Sequence, residues 1–183
     1  LASDNTSGVC PPAWLAWQEA NEGAVPSYGD DPWTDQVSDV IRDLFETDCD
    51  VFFVFNGTAA NSLALATACR SYHSVIAHRH AHIETDECNG PAFFSGGVKL
   101  LLVDGPDGKV TPDAVEHIAC RRTDIHYPKP KAVSVTQTTE LGGVYSVEQL
   151  QQIGATKERL GLRFHMDGAR FANAVAALDV APS

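Results

Sequence analysis

Residues 162–178 read LRFHMDGARFANAVAAL. Leu162 to Met166 form a short β-like run, and the stretch from Phe171 onward follows a helical pattern. Between them Asp167 stands at the tip of the expected strand, Gly168 relieves the turn, and Arg170 leads into the helix. In open α/β sheets, ligands sit at the carboxyl ends of the strands. This strand, acid and helix therefore suggest both a fold class and a place to search. Read alone, Asp167 is either a functional acid or a helix cap. Arg170 is either an anion partner or half of a surface ion pair.

Outward from this stretch, four more β-like runs appear: residues 50–55 (DVFFVF), 74–78 (SVIAH), 98–103 (VKLLLV) and 132–136 (AVSVT). They are short, apolar or β-branched, and bounded by turn residues, which suits strands buried on both faces of a parallel sheet. Helical patterns fall between most of them. Residues 12–22 and 58–71 read as helices, and 34–47 place Val37, Val40, Ile41, Leu44 and Phe45 on one stripe. Thr111-Pro112-Asp113 opens another helix with a cap, a first-turn proline and a first-turn acid. Ser146-Val147-Glu148-Gln149 is a capping-box pattern, and Gly161 can end the helix that follows. The alternation predicts an open α/β fold with a mostly parallel sheet.

The chain has 183 residues, 44% hydrophobic and 20% charged, which is ordinary globular composition. Its net charge of −11 argues against nucleic acid or an anionic membrane as the main partner. No apolar run reaches the length needed to cross a bilayer, and the opening LASDNTSG lacks the parts of a signal peptide. The five cysteines have no CxxC pair and read as reduced, mostly buried thiols of a cytoplasmic protein.

The remaining strand ends carry the other candidate residues. Asn56-Gly57-Thr58-Ala59-Ala60-Asn61 follows one run and opens a helix. Glycine permits close backbone approach, and unpaired helix N–H groups suit a phosphate, with the Thr58 hydroxyl added. The same residues also make an ordinary capped helix start. No GxxxxGK[ST] loop is present. His78-Arg79-His80-Ala81-His82 has three readings. If extended, the three histidines share one face and suggest a metal site, with Asp167 or His165 completing a hydrolase centre. If the strand stops earlier, His82 alone lies beyond its end and its ring can stack on a flat ligand. The third reading is a half-exposed strand with satisfied histidines. Tyr28-Gly29-Asp30-Asp31 and Asp124-Ile125-His126-Tyr127, taken singly, are turns or loops.

Together and in order, these pieces resemble the threonine aldolase family of pyridoxal-phosphate enzymes, with its aspartate-aminotransferase-like fold. The matching segments are SDNTSG (3–8), YGDDP (28–32), NGTAAN (56–61), AHIETDE (81–87), DGKVTPD (107–113), DIH (124–126), TTELGGVYS (138–146) and HMDGAR (165–170). The TQTTE and DECNGPAFFSGG segments look closer to phenylserine-type aldolases. The resemblance implies a three-layer α/β/α large domain across residues 1–183, incomplete at its C-terminus, with the rest of that domain and a small domain elsewhere.

The resemblance also implies roles. Gly57 and Thr58 would hold the pyridoxal 5'-phosphate group, and His82 would stack on its ring. Asp167 would pair with the pyridine nitrogen. Arg170 would meet the cofactor hydroxyl side or the substrate carboxylate, and Ser3 would reach that carboxylate. His126 would stand near the β-hydroxyl. Tyr28 would line the site from a neighbouring subunit of a homo-oligomer, a dimer or tetramer. The reaction expected is retro-aldol cleavage of a small β-hydroxy-α-amino acid (threonine, allo-threonine or phenylserine) to glycine and an aldehyde, with His82 or His126 as base. A β-eliminating lyase of the same fold is the near rival. Lys99, Lys109, Lys129, Lys131 and Lys157 match nothing in the family's cofactor-anchoring lysine motif. The chain is therefore expected to be a fragment that is inactive alone.

Overall fold

The computed structural model describes residues 6–183. The chain divides into two compact units, residues 1–52 with 182–183, and residues 53–181. Among the described residues, the first holds two α-helices. Helix α1 (Pro11–Ala20) starts with prolines whose missing N–H groups would be unpaired there anyway. Helix α2 (Pro32–Leu44) is capped by Asp31, which accepts from the Thr34 amide at 2.9 Å and its hydroxyl at 2.7 Å. Those two bonds hold the Asp31 carboxyl below the usual carboxylate range.

The second unit is an α/β sheet. Helix α3 (Gly57–Ala68) is capped by the Asn56 side chain, which accepts from the Ala59 amide at 2.8 Å. After it come strand β1 (His73–His78), short helices α4 (His82–Thr85) and α5 (Gly90–Phe94), and strand β2 (Lys99–Val103). Helix α6 (Pro112–Cys120), strand β3 (Lys129–Thr136), helix α7 (Val147–Arg159), strand β4 (Arg163–Asp167) and helix α8 (Phe171–Leu178) complete it. The sheet order is β2-β1-β3-β4, and every pairing is parallel. The chain goes from β1 to β2 on one side and then crosses to β3 on the other. The order thus reverses around β1, and the crevice this leaves lies at the carboxyl ends.

Both faces of the sheet are covered, as the apolar runs predict. Val75, Ala77 and Ala132 pack with Leu65 of α3 and Ile83 of α4. Ile76, Leu101, Val103, Val133 and Val135 pack with Val115 of α6 and Ile153 of α7. Alternate residues of one strand thus enter opposite cores, the two-residue period of an extended chain. The same parity sets β4: Phe164 and Met166 pack toward the α6–α7 side. Arg163, His165 and Asp167 therefore take the α3 side.

The caps expected at Thr111 and Ser146 form. Thr111 accepts from the Ala114 amide, and Ser146 and Gln149 make a reciprocal capping box. Gly161 ends α7 at φ +66°, a conformation that β-carbon-bearing residues rarely adopt.

Two expectations are corrected. Residues 50–55 join no ladder, and Phe52 and Phe55 are 82% and 90% exposed. Apolar β-prone residues need a neighbouring strand, and this segment has none among the described residues. The thiols are free but not mostly buried: only Cys69 is buried, whereas Cys10, Cys88 and Cys120 are exposed.

Candidate active site at the carboxyl ends of the strands

Parallel strands bring the segments after His78, Thr136 and Asp167 to one edge of the sheet. Thr136 pairs in register with Asp167, and the Gln137 amide donates to the Asp167 carbonyl at 3.0 Å. Asp167 is therefore fixed by backbone at the tip of β4, with its side chain buried against α3. One carboxylate oxygen accepts from the Ala169 amide at 3.0 Å, and the other from the Asn61 amide nitrogen at 3.0 Å.

Asn61 belongs to the buried stripe of α3, with Ser62 and Leu65. It lies one helical turn, about 6 Å of axial rise, beyond Gly57. The N–H groups at the start of α3 thus stand one turn from a residue that touches Asp167. A side chain at Gly57 would meet no atom within 4 Å, so the backbone there is open to a ligand. Gly90 at the start of α5 is packed close: an added β-carbon would come 2.8 Å from the Ser62 hydroxyl and 3.5 Å from the Thr58 methyl. Small size at position 90 therefore holds Thr58 and Ser62 where they are.

His82 begins α4, past the end of β1, so its ring is not in the strand. Its backbone amide donates to Glu140 at 3.2 Å. Its Nδ1 lies 3.0 Å from Glu87 Oε1, and the same oxygen accepts from Asn61 at 2.7 Å. The Glu87 side chain is completely buried, and its Oε2 has no hydrogen-bond partner among the described residues. Arg170 is held from two sides, Nε donating to the Thr138 carbonyl and Nη2 to Glu140, both at 3.1 Å. Beside this cluster, His165 shares a 2.8 Å hydrogen bond with the Ser134 hydroxyl. Burial pushes its pKa down, against a smaller upward pull from Asp167.

Gly57, Thr58, His82, Asp167 and Arg170 are thus set around one end of the sheet. Sequence reasoning assigned no role to Asn61, Glu87 or Glu140, the residues that tie these groups together. All three lie within quoted segments, but no spacing rule singles them out.

Other candidates fall elsewhere. His126 is exposed in the loop before β3 and bonds to Asp124 at 3.1 Å. Asp167 pairs with the far end of that strand, about 23 Å of extended chain away. Within one chain His126 is therefore at the opposite end of the sheet from Asp167. Tyr28 lies in the first unit, fully exposed at φ +66°. Ser3 lies outside the described residues.

The three-histidine metal reading is corrected. The chain turns after His78, with the Ala81 amide bonded back to its carbonyl, so the two-residue period does not continue to His80 and His82. His78 is engaged by the His80 amide and the Gly105 carbonyl. Among the described residues, the one metal-capable group is His82, Glu87 and Asp167, whose ligand atoms lie within 4.8 Å of one another. There Asn61 already donates to both carboxylates. A cation would have to displace that N–H donor.

The beta-eliminating lyase family model matches residues 1–183. A low-specificity L-threonine aldolase of Pseudomonas aeruginosa is 60% identical over 183 residues, which are all of this chain and 53% of that protein. The Escherichia coli enzyme of the same name is 31% identical over 82% of this chain and 44% of its own length. Among solved structures, Leishmania major threonine aldolase superposes with a TM-score of 0.90 at 30% identity, covering 96% of this chain and 51% of that one. The chain spans about half the length of the relatives it matches.

Proposed function

The chain belongs to the beta-eliminating lyase family, and from that premise we propose that it builds the cofactor-binding face of a pyridoxal-phosphate aldolase. The substrate class is small β-hydroxy-α-amino acids, and the products are glycine and an aldehyde. One observation carries the reading: a buried carboxylate at a strand tip, Asp167, touches the helix whose open N-terminus lies one turn away. The donor set fits the cofactor's chemistry. Helix N–H groups and the Thr58 hydroxyl suit its phosphate, and a fixed carboxylate suits its ring nitrogen.

When bound, the cofactor supplies an electron sink for the pair released as a bond to the substrate's α-carbon breaks. Asp167 would hold the proton on the ring nitrogen, because a carboxylate beside it favours the charged form. His82 would stack on the ring and would accept the β-hydroxyl proton, directly or through a water. Arg170, braced by Thr138 and Glu140, would meet the substrate carboxylate or the cofactor's hydroxyl side. Tyr28 and His126 would serve from a second copy in a homo-oligomer with shared sites. The strand length between His126 and Asp167 within one chain supports that arrangement.

The test uses the full-length protein that contains this chain. Incubation with threonine, allo-threonine and phenylserine should yield glycine with acetaldehyde or benzaldehyde. Ammonia with a keto acid would instead make it a β-eliminating lyase, and turnover of none of the three would overturn the aldolase reading.

A further inference from the structure

We infer that Glu87 is a positioning residue of this site: its buried carboxylate, shared with Asn61, sets His82 as the Nδ1–H tautomer and so offers the Nε2 lone pair to the ligand. The inference rests on the reading above, in which His82 takes a substrate proton.

The geometry leaves little freedom. Glu87 Oε1 accepts from the Asn61 amide nitrogen at 2.7 Å and lies 3.0 Å from His82 Nδ1. An ionised carboxylate only accepts, so the hydrogen between Glu87 and His82 belongs to Nδ1. A neutral imidazole carries one N–H, and Nε2 is then bare. The same conclusion holds if the carboxyl is protonated at Oε2, since Oε1 still faces two donors. Asn61 cannot flip to compete. Its nitrogen lies within bonding distance of Glu87 and of Asp167 at 3.0 Å, and an oxygen there would face two acceptors.

A purely structural glutamate explains the arrangement poorly. The Glu87 side chain is wholly buried, yet its Oε2 has no partner among the described residues. Leaving a buried acceptor unsatisfied is costly, and such groups persist where they serve a site. The same Asn61 amide also ties His82's orienting acid to the acid proposed for the ring nitrogen. Both reactive ends of the site are thus set by one hydrogen-bonded chain, His82–Glu87–Asn61–Asp167.

The experiment uses full-length protein with isotope-labelled histidine, with and without cofactor. A proton–nitrogen NMR spectrum reads each ring's tautomer, and His82 is assigned by the signal lost in His82→Asn. The expected result is Nδ1–H at His82 in the unmutated protein, a readout that needs neither turnover nor a variant at Glu87. Nε2–H overturns the inference. Glu87→Leu, which removes the acceptor, should abolish the tautomer preference. It should also lower kcat about tenfold, the worth of one orienting hydrogen bond, with KM changed by less than about twofold. Glu87→Gln keeps an acceptor oxygen and should fall between the two. An unchanged tautomer in Glu87→Leu, or equal losses in both variants, also overturns it. Nδ1–H at His82 in a protein that makes no glycine would sink the aldolase reading while leaving the positioning role in place.

Discussion

At the scale of single residues, Asp167 is the buried acid at the tip of β4. Asp167→Asn keeps the shape and the bonds from backbone, but a neutral amide no longer favours a charged ring nitrogen. In the full-length enzyme we expect kcat/KM to fall about 100-fold, the worth of one charge-assisted hydrogen bond, measured by steady-state glycine release. A loss below about threefold would remove Asp167 from the role assigned to it. His165 gives a second prediction. Burial lowers its pKa below the ordinary 6.5, as it does for His78. The unfolded chain then binds more protons than the folded one just below that value. Stability is fully present above 6.5 and declines as pH falls through it toward the folded value. Urea midpoints should drop between about pH 7.5 and about pH 5.5, and His165→Gln should flatten that slope. Asp167 was legible as a strand tip because it ends the β-like run 162–166 and a glycine follows it. Asn61 and Glu87 were not, because their meaning lies in contacts 26 and 106 positions apart along the chain.

Among the elements, helices were the most readable, because caps and prolines act within a few residues. Ser146 shows this: its hydroxyl and the Gln149 side chain satisfy each other's backbone N–H groups. Ser146→Ala should cost about 1 kcal/mol in urea unfolding, with the fold unchanged by circular dichroism. An unchanged midpoint would mean that α7 is held by packing alone. The paired strands β1, β2 and β3 were also visible as short apolar or β-branched runs, and β4 as a run that alternates more. DVFFVF has the same composition and pairs with nothing described. Composition reports that a segment can be a strand, whereas pairing depends on what lies beside it. The three histidines failed for a related reason: the period of two holds only while the chain stays extended.

For the whole molecule, the α/β class followed from alternation of strand and helix and the layering from the family resemblance, but the crossing of β2 to β3 around β1 followed from neither. Sheet order is a long-range property that local patterns leave open. In the unit formed by residues 53–181, Phe53, Val54, Phe55, Phe93 and Phe94 remain exposed. Large apolar side chains left exposed in this way favour association where they adjoin. The 183-residue chain alone should bind the dye ANS, and Phe53→Ser with Phe55→Ser should reduce the signal. Absence of dye binding by the unmutated chain would show that these rings are covered in solution. One further consequence comes from α3, which carries open backbone at one end and a bond to Asp167 one turn along. A rigid coil works there as a caliper: its pitch fixes the span between anchor and acid, whatever enters. One residue inserted between Thr58 and Asn61 would swing the jaw by about 100° and open the gap. On the proposed reading, a compound whose acidic tail and ring nitrogen are set at another span would touch one jaw and miss the other.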